Sequence, residues 1–120
     1  MAKVKIITRN MKTDDVDDVI RFQLLYYAFI HDFKYNPCEM RCLMLLAKNN
    51  GIRQADFCNI CVESGVYQSG QSARNFISKA MKDGTIKKID GKRISLDESM
   101  EIYSEGNIMF NLKFLYATSN

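Results

Sequence analysis

The chain has 120 residues, 47% of them hydrophobic, which predicts one domain around one core, and its single proline and lack of a Ser/Gly-rich run argue against disorder. It contains no apolar stretch of the roughly 18 residues that a membrane-spanning helix needs, and the apolar run near its start is too short for a secretory signal, so a cytoplasmic setting is expected. The net charge of +3 is unevenly placed: residues 74–93 carry seven bases against two acids, net +5, and the remaining 100 residues sum to −2.

A local positive field on a slightly acidic body points to an anionic partner, with nucleic acid the first candidate. Residues 3–9 alternate weakly and are rich in Val, Ile and Thr, which predicts a short strand. Residues 10–14 read as a turn in which Thr13 or Asp14 caps the next helix. That helix is expected over 15–33, with Asp15, Asp17 and Asp18 at its start, where the helix dipole favours anions. One apolar face holds Val16, Val19, Ile20, Leu24, Tyr27 and Ile30, and a second holds Phe22, Leu25, Tyr26, Phe29 and Phe33. A helix that is apolar on both sides must bury both, so the second face is expected to meet either another subunit or the C-terminal strands.

Asn36 as cap and Pro37 at the first helical position open a second helix, which runs through 39–49 and stops at Gly51. Met40, Leu43, Leu46 and Ala47 form its core stripe. A third helix is predicted over 53–64, with Phe57, Ile60, Cys61 and Ser64 at helical spacing, and Gly65 ends it. Residues 66–70 are a turn with Val66 tucked inward, and Ser69 or Ser72 caps a fourth helix that ends near Asp83-Gly84. Ala73, Phe76, Ile77, Ala80 and Met81 in that helix match the amphipathic pattern in full. Residues 85–89 and 93–96 are short strands joined through Asp90-Gly91, a strong hairpin signal. Residues 97–105 read as a helical turn or a loop. Residues 107–117 alternate as a strand that either pairs with 3–9 or extends the hairpin.

The segment 57–96, FCNICVESGVYQSGQSARNFISKAMKDGTIKKIDGKRISL, runs helix, Gly turn, striped helix, Gly, hairpin. It resembles the winged helix-turn-helix superfamily, in particular the winged modules of bacterial and phage regulators and replication proteins. The likeness covers about a third of the chain, or about half once the helix over 37–49 is included. It implies an α+β fold: four helices, a β-hairpin wing, and short N- and C-terminal strands in a single domain, 1–120.

It also implies double-stranded DNA as partner. With its stripe inward, the recognition helix turns Gln71, Ser72, Arg74, Asn75, Ser78, Lys79 and Lys82 outward. Arg can read guanine, Asn or Gln adenine, and Ser and Lys can hold phosphate. The wing residues Lys87, Lys88, Lys92 and Arg93 would lie beside the backbone or in the minor groove. This predicts a transcriptional regulator or a replication accessory.

Other signals are weaker. Cys38, Cys42, Cys58 and Cys61 have C-x3-C and C-x2-C spacing, but all four fall on predicted helices. Core packing as small hydrophobes is expected rather than zinc or disulfides, and no cofactor is expected. His31 beside Asp32 reads as a surface polar pair, and no Gly-rich phosphate loop, nucleophile elbow or paired carboxylates appear, so no enzyme is expected. The alternative is a phage-type structural protein of the virion that uses the same body in a homo-oligomer or larger assembly. The two-faced first helix and the terminal strands favour it. Abundant Lys, Asn, Ile and Tyr without Trp also suits an AT-rich, phage-like genome.

Overall fold

In the computed structural model, which describes residues 2–119, side-chain caps open the first, second and fourth helices, while the third starts without one. Helix α1 spans Val16–His31, and its cap is Asp15, whose carboxylate accepts the Asp18 amide at 3.0 Å. The expected caps, Thr13 and Asp14, lie two residues and one residue too early. Thr13 instead accepts the Asp15 amide through its hydroxyl at 3.3 Å and so shapes the turn into the helix. Helix α2, Pro37–Lys48, opens on a reciprocal capping box: Asn36 accepts the Glu39 amide at 2.7 Å, and Glu39 accepts the Asn36 amide at 3.0 Å. Helix α3 spans Gln54–Glu63 and α4 spans Gly70–Asp83.

Four strands were expected, and a fifth is present. The two residues Ile52–Arg53 form β2, directly before α3, where Arg53 was expected to begin the third helix. Strand β2 pairs antiparallel with β4, Arg93–Leu96, which pairs antiparallel with β3, Ile86–Lys88, giving a three-stranded sheet of order β2-β4-β3. After β4, residues 98–100 make one 3-10 turn capped by Asp97, and Met100 folds into the core.

The core joins the helix stripes to this sheet. Leu24 of α1, Leu43 and Leu46 of α2, Phe57 of α3, Phe76 and Ile77 of α4, and Ile86 and Ile94 of the sheet are all buried. Each such side chain contributes on the order of 1.5–3 kcal/mol of transfer free energy. Of the expected first face of α1, Val19, Ile20 and Leu24 are buried, but Val16 and Ile30 are exposed.

The termini depart most from expectation. Instead of short strands, β1 covers Ala2–Thr13 and β5 covers Ile108–Ser119. They pair antiparallel in one unbroken register, from Ala2 opposite Ser119 to Thr13 opposite Ile108, and β5 does not extend the hairpin sheet. The result is a two-stranded arm about 40 Å long at the usual rise per strand residue. It accounts for principal extents of 62 × 26 × 26 Å. Gln23 of α1 pins the loop leading to the arm: its side-chain amide donates to the Tyr103 carbonyl at 2.6 Å and accepts the Tyr103 amide at 2.9 Å. At the foot of the arm, Phe110 meets Phe22 of α1 edge-on, with centroids 4.9 Å apart. No helix among the described residues is long and apolar enough to cross a membrane.

Candidate nucleic-acid interface

Helix α4 is set by its two ends and one buried stripe. Ser69 caps it, accepting the Ser72 amide at 3.2 Å, and Gly84 closes it at φ +82°, a backbone angle that side chains with a Cβ rarely adopt. Ala73, Phe76, Ile77 and Ala80 are buried as the stripe predicts. Phe76 is also the end of an aromatic row, with Tyr27, Phe33 and Tyr35 following one another at 5.9 Å and Tyr35 meeting Phe76 edge-on at 5.7 Å. This row ties the end of α1 to the inner side of α4.

The opposite side of α4 is solvent-facing. Gln71, Ser72, Arg74, Asn75, Ser78, Lys79 and Lys82 are all exposed, and residues 70–82 contain no acid. Arg74 donates to Gln71 Oε1 at 3.0 Å, and Gln71 Nε2 donates to Asn75 Oδ1 at 2.8 Å, so three of the expected base-reading side chains form one polar cluster. Lys79 is turned aside. It pairs with Glu39 at 2.9 Å and its ammonium lies 5.5 Å from the Tyr35 ring centroid.

The β3–β4 hairpin, the expected wing, is turned by Asp90. Its Oδ1 accepts the amides of Lys92 and Arg93, both at 2.9 Å, and Ile89 donates its amide to the Arg93 carbonyl at 2.9 Å. Asp90-Gly91 therefore makes the predicted hairpin, but through an Asx-type loop rather than through a glycine at positive φ. Those two amides hold the Asp90 carboxyl below the usual carboxylate value. Of the wing bases, Lys87 pairs with Glu98, and Arg93 donates to the Gly51 carbonyl at 3.3 Å with Asp90 4.0 Å away. Among the described residues, no ion pair engages Lys82, Lys88 or Lys92.

A second basic surface was missed. Strands β1 and β5 carry Lys3, Lys5, Arg9, Lys12 and Lys113 and no acid. The bases were visible in the sequence, but only pairing of the two termini gathers them onto one arm. Outside this arm and residues 74–93, the remaining segments sum to −7.

The expected protein interface divides in two. Leu25, Tyr26 and Phe29 are exposed, Phe29 by 83%. Phe22 and Phe33 are partly covered instead, the first by Phe110 and the second within the aromatic row. Strand β5 thus covers only one end of this face. Between α1 and α2 lies a groove of about 750 Å³, floored by Leu25, Met40, Met44 and Leu45.

The cysteines pack as small apolar groups. Cys42, Cys58 and Cys61 are buried, with Cys42 and Cys61 sulfurs 3.7 Å apart, and Cys38 donates to the Val66 carbonyl at 2.8 Å. The Cys61 contact and burial push the Cys42 thiol up, so it stays neutral. Among the described residues, no group of three or more His, Cys, Asp and Glu is placed to hold a metal ion. Compared with known proteins, the chain matches no family model, no curated protein and no solved structure.

Proposed function

We propose that this is a winged-helix protein that binds double-stranded DNA without catalysis, as a transcriptional regulator or replication accessory. The order α2, β2, α3, α4, then the β3–β4 hairpin, with sheet order β2-β4-β3, suits a winged helix. The observation that carries the DNA reading is the acid-free outer side of α4 beside Lys88 and Lys92, for which no ion pair is found among the described residues.

In this reading α4 enters the major groove. The cluster Gln71–Arg74–Asn75 opens to face base edges, where Arg suits guanine and Asn or Gln suits adenine. Ser72, Ser78 and Lys82 meet phosphate, while Lys88 and Lys92 lie along the backbone beside the groove. Lys79, held by Glu39, and Lys87, held by Glu98, add field rather than contact.

A gel-shift titration against random duplex at two salt concentrations tests the reading. Binding is expected to weaken at the higher salt, and to weaken further when Lys87, Lys88, Lys92 and Arg93 are neutralised together. Unchanged binding after that substitution would refute it. A second reading, a structural protein of a phage-type particle, is favoured by one observation: the arm and the outer face of α1 leave large apolar side chains in solvent.

A further inference from the structure

The molecule exposes more surface than its mass predicts. Its accessible area is 8199 Å². A folded monomer of 13.9 kDa exposes about 6,700 Å² by the usual scaling, so the excess is roughly 1,500 Å². Its radius of gyration, 17.9 Å, likewise exceeds the roughly 13.6 Å of a compact 120-residue domain. A stable pairwise interface covers about 800 Å² per partner, so the excess is enough for one and more.

Large apolar side chains are exposed on both the arm and the body. On the arm, Phe114 and Leu112 are 54% and 57% exposed, and the register places them with Ile7, Met11 and Phe110 on one face, which Arg9 crosses opposite Leu112; Val4, Ile6, Met109 and Leu115 are exposed on the other face. On the body, Leu25 and Phe29 of α1 are exposed. The contact of Phe110 with Phe22 already seats the foot of that arm face on the outer face of α1. Further along that arm face, Leu112 and Phe114 stay more than half exposed.

Charge adds a direction. The arm carries Lys3 and Lys5 in its outer half, while the segments that join it to the body are acidic: Asp14 directly after β1, and Glu101 and Glu105 shortly before β5. A two-fold axis that laid two arms antiparallel would bring each basic tip to the other copy's acidic foot.

We propose that the occupant is a second copy of this chain: the two copies exchange arms, each laying Leu112 and Phe114 over Leu25 and Phe29 of the other. This deepens the assembly reading by naming the partner, and it uses a surface separate from α4 and the wing.

The test is the mass of the full chain by light scattering at about 100 μM, a concentration that populates even a weak pair. The expected result is about twice 13.9 kDa for the wild type. Phe114→Glu on the arm and Phe29→Glu on α1 should each halve that mass while far-UV circular dichroism stays unchanged. If Phe114→Glu loses its folded spectrum, Leu112→Ser carries the same test. A wild-type monomer overturns the proposal, as does a dimer that survives both substitutions. A species that keeps growing with concentration also overturns the two-fold pairing, while leaving the assembly reading standing. A monomer that binds duplex DNA and loses it in Phe114→Glu overturns it in favour of an arm that grips nucleic acid.

Discussion

Tyr35 ties the connection between α1 and α2 to the far end of α4. Its hydroxyl donates to Asp83 at 3.0 Å and lies 3.0 Å from the buried Thr85 hydroxyl, which itself donates to the Ala80 carbonyl at 3.2 Å. Burial is the main cause that pushes the Tyr35 hydroxyl up to about 12. Because the folded value is raised, this stabilising contribution is complete below pH ~10, the unfolded value, and is lost as pH rises through about 12. Tyr35→Phe should cost about 1–2 kcal/mol in urea unfolding at pH 7. It should also remove this part of the stability lost at alkaline pH, which unfolding curves at pH 8 and pH 11 would show.

Asp90 works the opposite way. Its folded value is lowered, so its hold on the β3–β4 loop is present above the ordinary carboxylate range and fades as pH falls through the folded value. Hydrogen exchange should show the Lys92 and Arg93 amides losing protection on acidification, and at neutral pH in Asp90→Ala. The core amides of α4 should stay protected in both cases.

At the scale of elements, what was legible is what is local. Asn36 and Pro37 mark the start of α2, the five-residue stripe marks α4, and Asp90 marks the hairpin, because each signal lies within a few residues of its effect. Asn36→Ala should cost about 1 kcal/mol by chemical denaturation, since it removes one half of the capping box and leaves the Glu39 amide without its acceptor. What escaped notice depends on distant partners. Strand β2 is two residues long and exists because β4 runs beside it. The arm pairs residues at opposite ends of the chain, so the alternation in residues 107–117 showed a strand without showing its neighbour. Gln23 is a further case: an ordinary glutamine on α1 in sequence, it is the clamp on Tyr103 in the fold. Gln23→Ala should lower stability by roughly 1–3 kcal/mol, with the loss of exchange protection concentrated at Tyr103.

The candidate site divides along the same line. Which side of α4 faces solvent was readable from the stripe. Which bases are engaged was not: Glu39 and Glu98, which hold Lys79 and Lys87, are 40 and 11 residues away from them in the chain. Surface pairs of this kind contribute at most about 1 kcal/mol each, yet they decide which lysines point outward.

For the whole molecule, two basic surfaces stand on an otherwise acidic body, and their proposed partners differ: DNA for α4 and the β3–β4 hairpin, a second copy for the arm. The measurement that tests the central claim most directly is the salt dependence of duplex-DNA affinity by fluorescence anisotropy. Each phosphate contact contributes about 0.9 to the slope of log affinity against log salt. Neutralising Lys82, Lys88 and Lys92, which no ion pair engages among the described residues, should reduce that slope by about 2–3. Neutralising Lys79 and Lys87, which are held by Glu39 and Glu98, should change it by less than about 1. Equal slopes in the wild type and the triple variant, or no measurable affinity for duplex at low salt, would contradict the account.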